Sequence, residues 1–451
     1  MVNTNTVLSS IAFSQTIDWN IKQFFNSTSI KSSFELKRIG KAITRRKDQM
    51  VVEDDKKYKR ITIKTNCGGV FVRDEVLGKD IKTKNQYYVK AGQLAVSKID
   101  ARNGAFGIVP PEADGAIITG NFWVYDVNPQ IADINYLILL LSSNVFVQAW
   151  QDCSNGSGNR LYLQEDKFLN YKIPLPTVNI QSELLKQYDS KISIARSYED
   201  EVCKLEKDIE QYWLSSLGVA IDTVFVRTDK LIKEFSFRTL SRWDAWSQTS
   251  KYTLTKYQFS KFSSVVIGKP LYGANEKAVK IKSDTRYIRI TDINEDGTLN
   301  DDVVSAKVVE EKYLLKENDF LIARSGNTVG KTFLYKKYFG KCIFAGYLVR
   351  YKLNTQKIIP EYLLYYTKSS LFKTWIQNNQ RIFGQPNING QEYLNADIII
   401  PDITKQAEIA KYIGELYDKI ARKKSEIKDA TLYAQTQFEE AVFGETQEIK
   451  N

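Results

Sequence analysis

Short runs of β-branched and aromatic residues fill most of this chain, and two long stretches with apolar residues every three or four positions follow them. Lys59–Lys64, Gly92–Ser97, Phe122–Val127 and Tyr347–Lys352 have the composition of strands. A helix is predicted after the last strand of each set, over about Ile134–Gln148 and again over about Pro360–Gln377. A proline-bearing strand end comes next, Ile173-Pro174-Leu175-Pro176 or Ile399-Ile400-Pro401, and then a long helix. The apolar stripe of the first long helix is Tyr188, Ile192, Ala195, Tyr198, Val202, Leu205 and Ile209. That of the second is Ile409, Ile413, Leu416, Ile420, Ile427, Ala434 and Phe438. Charges fill the other faces, and each helix stops at a glycine, Gly218 or Gly444. Roughly 37 residues, Gln181 to Leu217, span about 55 Å at 1.5 Å per residue. A helix of that length with one stripe needs a partner, and the other long helix supplies an equivalent one. The alternative is that each stripe packs on its own domain. Pairing is favoured because proline and glycine are absent over most of both helices, Gly414 excepted.

The same order of elements occurs twice. Gly104 and Gly330, Gly120 and Gly346, Asn128 and Asn354, Tyr136-Leu137 and Tyr362-Leu363, Ser143 and Ser369, and Phe146 and Phe372 are all separated by one constant interval. The register then slips by one residue, pairing Leu169-Asn170 with Leu394-Asn395, Pro176 with Pro401, Gln181 with Gln406 and Glu183 with Glu408. Upstream, Tyr58, Arg60-Ile61-Thr62 and Gly68 pair with Tyr287, Arg289-Ile290-Thr291 and Gly297. At about 226 residues, each repeat is the size of a domain, too large for a solenoid unit. The fold class expected is α+β: a tandem duplication of a β-rich domain followed by a long helix, the two helices pairing as an antiparallel coiled coil.

Composition narrows the chemistry. The 451 residues carry a formal net charge of +11, which favours a polyanionic partner. The chain has no histidine, which removes the usual general base and zinc ligand and every Ser-His or Cys-His arrangement. Cys67, Cys153, Cys203 and Cys342 form no C-x-x-C pair and read as reduced, mostly buried thiols of a cytoplasmic protein. Residues 1–20 lack the pattern of a signal peptide, and no apolar run is long enough to span a membrane.

The layout resembles the specificity subunits of Type I restriction–modification systems. Two local signatures carry the resemblance beyond the architecture. One is the strand–proline–glutamine entry to each long helix: Ile173-Pro174-Leu175-Pro176 with Gln181-Ser182-Glu183, and Ile400-Pro401 with Gln406-Ala407-Glu408-Ile409-Ala410. The other is the loop before it, Gly156-Ser157-Gly158-Asn159-Arg160 and Gly384-Gln385-Pro386-Asn387-Ile388-Asn389. The resemblance implies target-recognition domains over 1–180 and 218–403, spacer helices over 181–217 and 404–443, and a tail over 444–451. It implies a non-catalytic subunit that reads a split, asymmetric target in double-stranded DNA. Its partners would be two adenine methyltransferase subunits and, through them, motor–nuclease subunits. No cofactor is expected in this chain; S-adenosylmethionine and ATP with magnesium belong to the partners. A spacer of about 55 Å would hold the half-targets no more than about 16 base pairs apart.

Arginine and lysine suit guanine edges and phosphates, and asparagine and glutamine suit adenine. Candidate DNA contacts are therefore polar loop residues at matched places. Lys98, Arg102 and Asn103 stand opposite Arg324, Thr328 and Val329, with Ser325, Asn327 and Lys331 in the same second-repeat loop. Asn159 and Arg160 occupy one pre-junction loop, and Arg381, Gln385, Asn387 and Asn389 the other. Arg60 and Arg289 recur on a predicted strand. The plain alternative for each is a solvated turn or a surface ion pair. Three near-motifs fail on spacing or company. Gly326–Thr332 has three residues between its glycines where a phosphate-binding loop needs four. Pro401-Asp402 with Glu426-Ile427-Lys428 spreads its acids along a helix instead of around one metal. Asn128-Pro129-Gln130-Ile131 lacks the aromatic that stacks on a flipped base. A stand-alone nuclease or modification enzyme with built-in recognition domains, and a coiled-coil scaffold, remain the rival readings. Phe13–Asn20 weakly parallels Phe235–Asp244, as lead-ins to the two domains.

Overall fold

The computed structural model describes residues 30–65, 68–157, 160–221, 252–254, 256–280, 284–380 and 385–444, so the two lead-in segments lie outside the described residues. The chain divides into two compact units, Met1–Ser197 with Glu426–Asn451, and Tyr198–Ser425.

The strands of the first unit are β1 (Leu36–Arg38), β2 (Ile43–Arg46), β3 (Gln49–Val51), β4 (Lys57–Ile63), β5 (Val70–Leu77), β6 (Asn85–Tyr88), β7 (Leu94–Ser97), β8 (Phe106–Ile108), β9 (Ile117–Ile118), β10 (Phe122–Val127), β11 (Ser154–Ser157), β12 (Arg160–Leu163) and β13 (Lys172–Pro174). Its helices are α1 (Ile134–Leu141), α2 (Asn144–Asp152), α3 (Glu165–Asn170) and the first part of α4 (Val178–Leu217). The central sheet is antiparallel in the order β2-β10-β7-β8, beside a five-stranded sheet β3-β6-β9-β4-β5. Strand periodicity decides the cores. Leu94, Val96, Trp123 and Tyr125 face one core with Phe106, Trp150 and Phe168, whereas Ala95 and Val124 face another with Ile61, Ile63 and Val70. Both faces are covered, which is why β7 and β10 are apolar runs with little alternation.

The second unit repeats the plan. Its strands are β14 (Val219–Ile221), β15 (Tyr252–Leu254), β16 (Phe259–Lys261), β17 (Val266–Tyr272), β18 (Ala278–Val279), β19 (Thr285–Ile288), β20 (Ser305–Ala306), β21 (Asp319–Ala323), β22 (Thr332–Leu334), β23 (Lys341–Phe344), β24 (Leu348–Leu353) and β25 (Asp397–Ile399). The sheet β17-β24-β21-β22 matches β2-β10-β7-β8, and the short pair β16-β25 matches β1-β13. Parallel pairing recurs too, β4 with β9 and β19 with β23. The helices are the second part of α4, α5 (Pro360–Tyr366), α6 (Ser370–Asn379), α7 (Gly390–Leu394) and the first part of α8 (Ile403–Phe443), whose remainder belongs to the first unit.

Several of the residues that recur between repeats are hydrogen-bonding positions. Gln181 and Gln406 are fully buried at the starts of the long helices. The Gln181 Nε2 donates to the carbonyls of Pro176 (2.8 Å) and Ile131 (2.9 Å), and its Oε1 accepts from Asp133 N (2.8 Å). Gln406 repeats the set with Pro401 O (2.8 Å), Lys357 O (3.0 Å) and Ile359 N (2.8 Å). Tyr136 donates to Pro174 O at 3.0 Å and Tyr362 to Ile399 O at 2.8 Å. Asn128 and Asn354 each accept a backbone N–H two residues on, so Asn128-Pro129-Gln130 is an Asx turn.

Each helix expected as one after the sheet is two, α1 with α2 and α5 with α6. The break falls at Ser143 and Ser369, both extended residues buried in the fold. It frees helix N-terminal N–H groups, and a carboxylate from a long helix takes them. Asn144 N donates to Glu439 Oε1 (2.9 Å) in the first unit, and Ser370 N to Glu210 Oε2 (3.2 Å) in the second, where the Ser370 hydroxyl also bonds Glu210. Periodicity alone misses the break because the apolar spacing continues across it.

The long helices pair, as expected. In the first unit Ile192 and Ala195 of α4 pack with Ile427, Ala430 and Ala434 of α8, and Tyr188 meets Phe438 with ring centres 6.2 Å apart. In the second unit Tyr212 meets Tyr412 at 4.2 Å, and Lys423 lies 3.9 Å over Tyr198 while bonding Glu201 at 3.1 Å. Partners fall along one helix as they rise along the other, so the pairing is antiparallel. Gly218 and Gly444 close the helices at φ +63° and +82°, conformations in which any Cβ is strained. Among the described cysteines, Cys153 and Cys342 are buried, whereas Cys203 is exposed on the charged side of α4.

Two expectations follow. Replacing Gln181 or Gln406 with leucine strands one N–H and two carbonyls, so calorimetry should show a loss of about 3 kcal/mol, or roughly 6–10 °C. A loss below about 1 kcal/mol would contradict this role for the junction. Burial pushes the Cys153 thiol up to about 12 and that of Cys342 up to about 11. Mass mapping after brief treatment of native protein with a thiol reagent near neutral pH should find Cys203 labelled and these two protected.

Candidate nucleic-acid interface

The polar loops singled out in the sequence leave the ends of the central strands. In the second unit the chain passes from β21 through Arg324 and a 3-10 turn, Gly326–Thr328, into β22. Arg324 N donates to Tyr347 O at 2.9 Å and Ala323 N to Lys331 O at 2.8 Å. The first unit has the same bonds at matched positions, Lys98 N to Asn121 O (2.9 Å) and Ser97 N to Ala105 O (3.0 Å). Gly104 and Gly330 both hold positive φ, +70° and +88°, where these loops turn back. Lys98 and Arg324 thus occupy equivalent backbone sites.

The second unit's two candidate loops form one surface. Ser325 bridges Asn387, Gly326 N donates to Pro386 O (2.9 Å), and Ile388 N to Arg324 O (3.0 Å). In the first unit Leu163 N donates to Lys98 O at 2.8 Å, which joins that loop to β12, the strand that begins at Arg160. The side chain of Arg160, and the whole of Asn159 and Arg381, lie outside the described residues.

Three candidate cations already have an acid. The Arg60 Nε and Nη2 donate to Asp74 at 2.7 Å each, and this guanidinium holds the Asp74 carboxyl below the usual carboxylate range. Arg289 lies one residue past β19 and is not within a strand. Its guanidinium reaches Asp292 at 2.6 Å and Asp302 at 2.8 Å, and these hydrogen bonds hold it firmly charged. Asp292 is fully buried. The Lys331 ammonium bonds Glu295 at 2.9 Å and Ile293 O at 3.3 Å. Other candidates serve the backbone. Asn389 caps α7, accepting from Gln391 N and Glu392 N at 2.9 Å each, Thr328 Oγ1 donates to Ser325 O at 3.0 Å, and Asn103 leans on Asp100 at 3.4 Å. Ser325 is buried, Arg102 and Asn387 are half-buried, and Asn327 and Gln385 are exposed.

Lys98 and Arg324 differ from the rest: neither forms an ion pair among the described residues, and each lies against aromatic rings. The Lys98 ammonium is 5.4 Å from the centre of Trp123. The Arg324 guanidinium is 5.0 Å from the centre of Tyr272 and 5.7 Å from that of Tyr347, and its Nε donates to Gly346 O at 3.2 Å. Arg45 shares Trp123 at 5.3 Å and pairs with Glu165 at 3.2 Å. Sequence reasoning missed Tyr272, Tyr347, Trp123 and Arg45: it read the segments of Trp123 and Tyr347 as strands and gave those of Tyr272 and Arg45 no reading. The available signal was aromatic residues at the ends of strands that neighbour a candidate cation.

This sorting gives a stability test. Arg289→Ala leaves the Asp292 carboxylate buried and unpaired and should cost about 3 kcal/mol in denaturant unfolding. Arg324→Ala removes only cation–π contacts and one hydrogen bond, and should stay within about 1.5 kcal/mol of wild type. The reverse order would show that the pairing does not govern these residues.

The chain is similar to known proteins in matching ways. The family model for the Type I restriction modification DNA specificity domain matches twice, over residues 29–202 and 257–430. The specificity subunit of the Type I restriction enzyme EcoBI of Escherichia coli is 21% identical over 255 residues, 54% of this chain and 51% of that protein. The StySPI specificity subunit of Salmonella potsdam is 26% identical over 112 residues, 24% of each chain. The aligned part thus spans about half the length of the first of these relatives and less of the second. The crystal structure of the HsdS subunit from Thermoanaerobacter tengcongensis aligns over 91% of this chain and 97% of its own, at 14% identity and a TM-score of 0.37. With two matches that together cover well over half of its length, each taking in one β-rich sheet assembly and the start of the long helix after it, the chain belongs to the Type I restriction–modification DNA specificity family.

Proposed function

We propose that this chain is the non-catalytic subunit that selects the DNA target of a Type I restriction–modification complex. The observation that carries the reading is the double occurrence of the specificity domain, each copy feeding a long helix through the same buried glutamine. Two unlike recognition domains, 1–180 and 218–403, would each read half of a split, asymmetric target in duplex DNA. The helices over 181–217 and 404–443 would set the unread gap between the halves and receive two adenine methyltransferase subunits, which in turn bring motor–nuclease subunits. Methyl transfer and cleavage would stay with those partners, which bind S-adenosylmethionine and ATP with magnesium. The net charge of +11 suits a phosphate backbone.

Methylated adenines mapped across the host genome, with and without the gene, test this. One split motif with a fixed gap should be methylated only when the gene is present, and exchange of region 34–172 should change one half of it. Identical maps in a host whose methyltransferase is active would refute the proposal. Purified chain should also bind duplex DNA with an affinity that falls linearly on a log–log plot against salt, at a slope of about −0.9 for each phosphate neutralised.

A further inference from the structure

Arg324 and Lys98 stand at the same place in the two repeats, yet their chemistry differs. The Arg324 guanidinium is a planar fork whose orientation is set from three sides, by the rings of Tyr272 and Tyr347 and by the Gly346 carbonyl. Tyr347 is 55% exposed and Tyr272 40%, so this collar stands at the surface of the unit. Tyr272 is itself fixed, its hydroxyl accepting from Gly390 N at 2.9 Å. With Nε spent on the backbone and no described carboxylate in reach, the guanidinium still has its Nη donors to offer. A side chain already held loses little rotamer freedom on binding.

The surroundings distinguish base from phosphate. A phosphate site gathers cations. Here, among the described residues, the cation of the same loop, Lys331, is neutralised by Glu295, and the residues beside Arg324 include the uncharged Ser325, Asn327, Gln385 and Asn387. A fixed guanidinium among amides and hydroxyls suits the edge of a base pair, and the base that offers two acceptors at the fork's spacing is guanine, through N7 and O6. Resting on the DNA-specificity reading above, we infer that Arg324 reads a guanine in the major groove of one half-target, with Tyr272 and Tyr347 as the collar that aims it. Lys98, a flexible point charge over one ring, holds the equivalent place in the other half without the fork.

The test uses the full chain. The methylation map of host cells carrying Arg324→Ala is compared with wild type, and Arg324→Lys and Tyr347→Ala are run alongside. Thermal melting of each purified variant gives the folding control. Binding is then measured on duplexes carrying the mapped motif, with each guanine of the relevant half replaced in turn by 7-deazaguanine, which lacks the N7 acceptor. The inference expects Arg324→Ala to relax or abolish one guanine of one half-motif and leave the other half unchanged. It expects wild type to lose roughly ten-fold in affinity or more at one 7-deaza position to which Arg324→Ala is indifferent. Arg324→Lys should not restore discrimination, and Tyr347→Ala should weaken it at the same base. A uniform affinity loss with an unaltered motif and a salt slope smaller by about one unit overturns the inference in favour of a phosphate contact. Unchanged maps and affinities with a melting point near wild type overturn it outright. A wild-type chain that directs no split motif refutes the specificity reading itself, and this inference with it.

Discussion

A helix that starts inside a β-rich domain must satisfy the carbonyls of the strand that feeds it and the backbone groups of the loop it passes, all without water. Gln181 and Gln406 meet that constraint. An amide can donate twice and accept once, and each glutamine does so, to the strand end and to both sides of the loop that opens α1 or α5. The rest of each unit depends on this three-way tie. It sets where the long helix begins, hence which of its faces meets the domain, and it anchors the loop from which the helix pair α1–α2 or α5–α6 departs. A carboxylate such as glutamate in its place could accept but not donate, and an aliphatic side chain could do neither.

The second tie works in the other direction. Glu210 and Glu439 lie near the far ends of the long helices, and each carboxylate meets the N-terminus of the short helix α6 or α2. Trp213, fully buried, packs with Tyr362 and Tyr366 beside one of these contacts, and Phe438 packs with Tyr136 near the other. In each unit, therefore, the last turns of a long helix complete the hydrophobic core with aromatic residues and one acid.

This arrangement explains which features were legible in the sequence. The duplication was legible because the residues it preserves include hydrogen-bonding groups with few substitutes: the buried Tyr136 and Tyr362 and Gln181 and Gln406, and the turn-forming Asn128 and Asn354. The antiparallel helix pair was legible from its stripes, whose residues are buried or half-buried. The break within the first predicted helix was not, since its cause is a carboxylate hundreds of residues away. The candidate site was legible only as loops. Whether an arginine or lysine keeps its charge available depends on acids that folding brings to it, such as Asp74 for Arg60 or Glu295 for Lys331, and no local spacing reports them. The aromatic collar of Arg324 was hidden for the same reason: Tyr272 and Tyr347 reach it through the adjacency of β17, β24 and β21.

The paired carboxylate seats bear on inheritance. Each asks the same of the domain it receives: an open helix end after a buried serine. Nothing in that request concerns the loops that face outward from the central sheet. A gene segment recombined into either slot would be accepted on the strength of a handful of interior residues, whatever its exposed loops contained. On the proposed function, a lineage could thus acquire a new half of its address while the frame that carries it stayed the same.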